Sequence, residues 1–493
     1  MSKNSKSNLR PIMFVGTGSD VGKSVINAAF CRIFLQDGYQ PAPFKAQNMS
    51  LNSYATLEGL EIGRAQAVQA EACGIDCSVD MNPVLLKPTS NMSSQVVLNG
   101  KPIGNKSAKE YFLKTNRDHL FDEAFAAFKR LEEQYNPIVV EGAGSISEVN
   151  LWDKDITNMR IALAGKADTY LIADIDKGGV FGSVFGTIQL LPKAERALIK
   201  GIIINKFRGD IELFEEGRKI LEDLTGIPVV SVIPYFRDIF IEEEDAVVLE
   251  KKMANSSKTK VNIAVVLLKH MSNFTDFNVL ERVPEVQLFY SHDADEIENA
   301  DIVIIPGSKN TIADLQFLRK TGMAKAILNA KAKGKSVYGI CGGFQMMGTE
   351  IHDPNHVEGH LDAVPGLALL PVITHMNEDK VTVQSDFTFK GDSEISKGYQ
   401  IHMGETQSEL SSPVCHLQNG EEDGYFLDDK TWGTYIHGIF DNMSIVKTIC
   451  KHAGLEHIED FNVVDFKEEQ YNKLAKLVRD SSDMDYIYKL LKR

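Results

Sequence analysis

Two stretches, in opposite halves of this chain, carry residue types at spacings that suit group transfer. The first is Gly16-Thr17-Gly18-Ser19-Asp20-Val21-Gly22-Lys23-Ser24. Glycines let a backbone curl through positive φ, so that successive N–H groups face inward on an anion. A helix opening at Lys23 adds the partial positive charge of its N-terminus. In such a loop Lys23 reaches the β- and γ-phosphates of a nucleotide and the Ser24 hydroxyl ligates Mg²⁺. The spacing departs from the common pattern, because five residues separate Gly16 from Gly22 and Thr17 stands where a glycine is usual. Gly16, Thr17, Gly18, Gly22, Lys23 and Ser24 are the expected nucleotide contacts. Glu141, which closes an apolar run before Gly142, is the second expected metal ligand, as an acid at a strand's carboxyl end can be.

The second stretch is Tyr338-Gly339-Ile340-Cys341-Gly342-Gly343-Phe344-Gln345. It reads as strand, sharp turn and helix, with the thiol at the turn, the cysteine counterpart of a nucleophile elbow. Small neighbours permit a strained turn, and a helix N-terminus suits a thiolate. A nucleophile needs a base, and His437, set among small residues in Trp432-Gly433-Thr434-Tyr435-Ile436-His437-Gly438, is the candidate. Backbone N–H groups of Gly342 and of the turn containing Gly307 would form an oxyanion hole.

These residues need rigid elements behind them. Apolar runs at 11–15, 41–45, 137–141, 169–174, 201–205 and 229–233 alternate with helical patterns, among them 25–35, 61–73, 107–134 and 211–225. Strands alternating with helices imply a parallel, doubly wound α/β sheet with right-handed crossovers. The polar stretch 47–53 follows the second strand, where ligands bind in such sheets. A second α/β unit begins near Val261, with strands at 262–268, 286–289, 301–306 and 336–340. The expected domains are residues 10–240 and 261–450, joined by an acid- and Lys/Ser-rich linker at 241–260 and followed by a helical extension at 451–493. Residues 1–9 read as a loose tail.

Composition narrows the setting. At 493 residues the chain has length for several domains, and 43% apolar with 25% charged content is ordinary for a soluble globular protein. A net charge of −15 argues against nucleic-acid or anionic-membrane binding, both of which want a basic face. Six cysteines over this length form no disulfide framework and fit a reducing cytoplasm. No run of 18 apolar residues is present to span a membrane. Cys73 and Cys77 lack a second pair for zinc. His352, His356 and His360 are spaced like ligands on one helical face, but Pro354 and Gly359 disfavour that helix, so no metal is expected there.

Several longer strings carry a family resemblance. Lys45-Ala46-Gln47-Asn48-Met49-Ser50-Leu51-Asn52-Ser53, Asp174-Ile175-Asp176-Lys177-Gly178-Gly179-Val180-Phe181-Gly182-Ser183, Ile204-Asn205-Lys206-Phe207-Arg208-Gly209-Asp210 and Gly398-Tyr399-Gln400-Ile401-His402-Met403-Gly404-Glu405-Thr406 resemble the cobyric acid synthases. The long phosphate loop resembles that of the dethiobiotin synthetase-like amidoligases. The resemblance runs from about residue 11 into the C-terminal extension. It implies a P-loop amidoligase domain followed by a class I glutamine amidotransferase domain, with Cys341 and His437 catalytic. ATP and Mg²⁺ are the implied cofactors, and glutamine and adenosylcobyrinic acid a,c-diamide the implied substrates. The b, d, e and g carboxylates would be amidated to give adenosylcobyric acid. Lys45, Gln47, Asn48, Ser50 and Asn52 would hold the acceptor carboxylate, and Asn205, Lys206 and Arg208 would contact the nucleotide near its adenine. The wider class has a Glu two residues after the histidine, where this chain has Ile439; Asp441 and Glu405 are both open as partners of His437. A cobyrinic acid a,c-diamide synthase is the alternative nearest in chemistry, and a P-loop ATPase switch with an inert amidotransferase-like domain is the more distant one.

Overall fold

The computed structural model describes residues 7–90, 93–113, 117–242, 260–359, 361–459 and 462–492. The nucleotide half is built on a six-stranded parallel sheet in the order Val229–Pro234, Ile199–Phe207, Asp168–Asp174, Ile12–Gly16, Ile138–Glu141, Ala42–Phe44. The period-2 alternation of a strand sends its side chains to two faces. Met13, Val15 and Val140 join a core shared with the helix Arg117–Gln134, whereas Ile12, Phe14 and Val139 join one shared with the helix Lys23–Gln36. Both faces are covered, as a parallel sheet requires.

That second core is completed from the far end of the chain. Leu474, Ala475 and Val478 of the helix Val463–Asp480, with Ile487 and Leu491 of Met484–Leu491, pack onto Phe30, Ile33 and Phe34. Arg479 pairs with Asp37 at 2.9 Å, and Arg10 N donates to Leu491 O at 2.9 Å. The expected appendage is therefore structural core. The expected loose tail is ordered at least from Leu9, which is buried and donates through its N–H to Asn136 Oδ1. Of the expected linker, Ile241 and Glu242 are packed rather than solvated, Glu242 pairing with Arg64 at 2.6 Å and Lys467 at 2.7 Å. Residues 243–259 lie outside the described residues.

The second half holds another six-stranded sheet, ordered Val286–Ser291, Val261–Val266, Ile302–Ile305, Ser336–Ile340, Thr431–Thr434, Tyr425–Asp428. It is parallel except for its last pair. Two additions complete the halves, the second on strand-like apolar runs at 84–87 and 95–98. A long antiparallel hairpin, Ile373–Phe389 with Ile395–Gln407, carries Ile436–His437 along its edge. A small sheet, Gln47–Met49, Val84–Ser90, Ser93–Leu98 and Lys101–Ser107, grows from the polar stretch after the second strand. That stretch is no solvated loop: Asn48, Ser50, Asn52 and Ser53 are buried. Among the described residues no helix is long and apolar enough to cross a membrane.

Candidate active site

The loop after Ile12–Gly16 curls around its own lysine. Lys23 Nζ donates to the carbonyls of Gly18 (2.8 Å), Ser19 (2.9 Å) and Gly144 (2.9 Å). A Cβ on Gly16 would meet Gly18 O at 2.7 Å and Lys23 Nζ at 3.1 Å, so the cradle admits no side chain. Gly22 sits at φ +95°, and a Cβ there would lie 2.3 Å from Asn205 Nδ2. The Asn205 amide in turn donates to Val21 O at 2.8 Å, bracing the loop from the carboxyl end of Ile199–Phe207, two strands away in the sheet. Below the helix start, Ser24 Oγ donates to Glu141 Oε1 at 2.8 Å; Lys45 Nζ reaches the same oxygen at 2.8 Å, and Gln69 Nε2 reaches Oε2 at 2.6 Å. Burial resists a charge on Glu141, but the Lys45 ammonium and these hydrogen bonds hold its carboxyl below the usual range. An anionic carboxylate beside a hydroxyl is the hard-oxygen donor set that Mg²⁺ takes, and the cradle suits a polyphosphate. A cavity of about 870 Å³ opens here, lined by Gly22, Lys23, Ser24, Lys45, Glu141 and Asn205 among others.

The second centre forms where Ser336–Ile340 meets the helix Gly342–Met347. Cys341 is at φ +51° and ψ −109°, a strained conformation that aims its thiol off the turn. Packing enforces the turn: a Cβ on Gly343 would lie 1.9 Å from Ile305 O, and one on Gly342 2.8 Å from Ser308 N. The latter distance also puts the Gly307–Ser308 backbone against Gly342, as an oxyanion hole requires. Cys341 Sγ is 3.6 Å from Ile401 O, and Cys341 and His437 line one small pocket. His437 Nδ1 is 2.7 Å from Asp276 Oδ2, while Asp276 Oδ1 accepts from Gly438 N at 2.9 Å. Both side chains are almost fully buried, at 1% and 2% exposure. Burial disfavours the imidazolium, but the charges of Asp276 and Cys341 outweigh it and push His437 up to about 10.

Residues 12–247 match the CobQ/CobB/MinD/ParA nucleotide binding domain, and residues 262–445 the CobB/CobQ-like glutamine amidotransferase domain. The cobyric acid synthase of Parabacteroides distasonis is 61% identical over 99% of this chain and 100% of its own length. That of Bacteroides fragilis is 59% identical over 98% and 99%, and that of Phocaeicola vulgatus 56% over 99% and 99%. The chain belongs to the cobyric acid synthase family. Members of the cobyric acid synthase family are glutamine-dependent amidoligases, and both halves expected from the sequence, P-loop and amidotransferase, are present.

Residues picked out by the resemblance to cobyric acid synthases are placed unevenly. Gln47 and Asn48 line the nucleotide cavity, but Ser50 and Asn52 do not. Ser50 Oγ and the Asn52 backbone bond each other, and Asn52 Oδ1 accepts from Phe274 N at 3.1 Å in the amidotransferase half. Lys45 lines the cavity but is committed to Glu141 rather than to the polar stretch. Lys206, at φ +61°, lines the cavity while reaching Asp174 at 2.8 Å. Arg208 stands back from it, on Asp176 and over the Tyr235 ring at 3.5 Å. Thr17 N donates to Ile172 O, so Gly16, Thr17 and Gly18 shape the loop while Ser19, Asp20, Gly22, Lys23 and Ser24 border the cavity.

The third member of the glutaminase centre is neither Asp441 nor Glu405. Glu405 is exposed on the hairpin, and Ile439 is packed in the core. The carboxylate against His437 is Asp276, on the short turn Phe274–Phe277. Its sequence signal was an acid lodged between two aromatics, Phe274-Thr275-Asp276-Phe277, in an otherwise apolar neighbourhood. His352 pairs with Glu350, His356 with Asp362, and His360 lies outside the described residues. Among the described residues no three His, Cys, Asp or Glu side chains cluster to hold a metal.

Proposed function

We propose that this chain uses ATP and glutamine to amidate the b, d, e and g carboxylates of adenosylcobyrinic acid a,c-diamide, giving adenosylcobyric acid. The observation that carries this reading is the pairing, in one chain, of a braced phosphate cradle with a Cys341–His437–Asp276 constellation, along a sequence that follows cobyric acid synthases end to end.

A carboxylate resists amidation because it is a poor electrophile. Phosphorylation gives it a leaving group, and ammonia then displaces phosphate from the acyl phosphate. Lys23 would meet the charge that builds on the transferring phosphoryl group. Ser24 and Glu141 are the residues that would hold Mg²⁺, which supplies charge neutralisation at the phosphates. Lys45, Gln47 and Asn48 border the cavity where the acceptor would enter.

Ammonia comes from the other centre. His437, oriented through Nδ1 by Asp276, takes the Cys341 proton at its other ring nitrogen. Sγ attacks the glutamine carboxamide carbon, and backbone N–H groups at Gly342 and Gly307 receive the oxyanion. His437 returns the proton to the leaving nitrogen, and water then cleaves the thioester to release glutamate. Holding the ammonia source in the same chain as the acceptor replaces a scarce free reagent by proximity.

Mass spectrometry of the corrinoid after incubation with ATP, Mg²⁺ and glutamine tests the proposal. Successive conversions of acid to amide at each of the b, d, e and g positions are expected. Conversion confined to the a and c positions of an earlier precursor would turn the reading to the diamide synthase.

A further inference from the structure

Between the two centres lies a buried charge cluster that neither mechanism uses. Glu61, fully buried at the start of Glu61–Gly63, accepts from Lys87 Nζ through Oε1 at 2.6 Å and from Lys380 Nζ through Oε2. Lys87 also donates to Ser53 Oγ at 2.8 Å. Glu61 and Lys87 belong to the nucleotide half, while Lys380 belongs to the long hairpin of the amidotransferase half.

Its placement suggests what it is for. Lys87 and Lys380 both line the small pocket that holds Cys341 and His437. The strand carrying Lys87 pairs with Gln47–Met49, and Gln47, Asn48 and Met49 line the nucleotide cavity. One pair of strands thus borders the donor pocket on one side and the acceptor cavity on the other. Two lysines on one acid leave a surplus positive charge. Burial pulls Lys380 down to about 7 against the attraction of Glu61, with Lys87 and Lys309 adding repulsion. Such a cluster is poor value as a stabiliser, since buried ion pairs seldom outdo apolar packing.

Nitrogen freed at Cys341 reacts with an acyl phosphate only as ammonia, whose lone pair is lost in ammonium. A free carboxylate on the route would trap ammonium, but both oxygens of Glu61 are occupied, and the ammonium groups around them repel it. We propose that Glu61, Lys87 and Lys380 form a charge-selective gate that passes neutral ammonia from the Cys341 pocket toward the acceptor and turns ammonium back. No bond is made or broken at the gate. The proposal rests on the amidoligase reading above.

The test uses the full chain with Lys380→Met, which keeps the Glu61–Lys87 pair. Glutamate released and amide formed are counted with glutamine as donor, and amide formation is measured separately with ammonium chloride. Wild type should give close to one glutamate per amide. The variant should release about threefold or more glutamate per amide, as a local supply leaks to solvent, with ammonium-driven amidation retained. Lys380→Arg, which keeps the charge, should restore the wild-type ratio. If Lys380→Met does not fold, as its melting curve would show, Lys380→Gln, which removes the same charge but keeps a polar end beside Glu61, is read the same way. An unchanged ratio, a parallel fall with both nitrogen sources, or equal leakage in the arginine variant overturns the gate. If wild type makes no amide from either source, the amidoligase reading itself has failed and the gate falls with it.

Discussion

Asp276→Asn keeps the shape of the His437 partner while removing its charge. In the native site Oδ1 accepts from Gly438 N and Oδ2 faces His437 Nδ1. The backbone N–H holds the new amide oxygen at Gly438, which turns the amide NH₂ toward Nδ1. His437 then accepts at Nδ1 and carries its proton on the other nitrogen, the one that must take the thiol proton. The electrostatic loss adds to this wrong tautomer. Raising His437 from 6.5 to about 10 corresponds to about 5 kcal/mol of preference for the imidazolium, divided between Asp276 and Cys341. Half of that, about 2–3 kcal/mol, slows glutamine hydrolysis ~10²-fold, and the tautomer error extends the expected range to ~10⁴-fold. Glutamate release measures the loss, and amidation driven by ammonium chloride should stay near wild type. Hydrolysis within about tenfold of wild type would refute the assignment of Asp276, as would an equal loss with both nitrogen sources.

Cys341→Ala should abolish glutamine-dependent amide formation while ammonium-driven amidation persists, a difference that amide counts with each nitrogen source expose. Gly22→Ala puts a Cβ 2.3 Å from Asn205 Nδ2 at φ +95°; it should cost ~1–3 kcal/mol of stability and weaken ATP binding, read by melting and calorimetry. Glu141→Gln strands the Lys45 charge, so a loss of ~3–5 kcal/mol is expected in melting, with a higher Mg²⁺ requirement for amidation in a metal titration. His437 is raised in the folded state, so the stability its charge supplies is complete below about 6.5 and disappears as pH rises through about 10. The stability gap between wild type and Asp276→Asn should therefore narrow across that window, as denaturant unfolding at stepped pH would show.

Much of the first sheet is legible because parallel strands buried on both faces leave apolar runs with little ambiguity, as at 138–140 and 201–204. Lys23, Ser24, Cys341 and His437 stand out because glycine is forced around them by close approach: Gly22 against Asn205, Gly343 against Ile305, Gly398 against His437 O. The polar stretch 47–53 misleads, since its amides are satisfied by partners distant in sequence, Gln66, Leu86 and Phe274. Asp276 is hidden for the same reason. Its role depends on a turn being carried to a strand 161 residues away, which no local spacing encodes. The hairpin 373–407 is half exposed and richly charged, so its alternation reads as loop.

The clasp of the last helices on Lys23–Gln36 bears on how this polypeptide matures. On the ribosome the phosphate-loop helix emerges early, yet the apolar cover for Phe30 and Phe34 is translated last. The segment made second can settle while the one made first still waits for its lid. A gene divided at the junction between the halves would strand that lid on the wrong product, leaving a greasy, aggregation-prone face on the other.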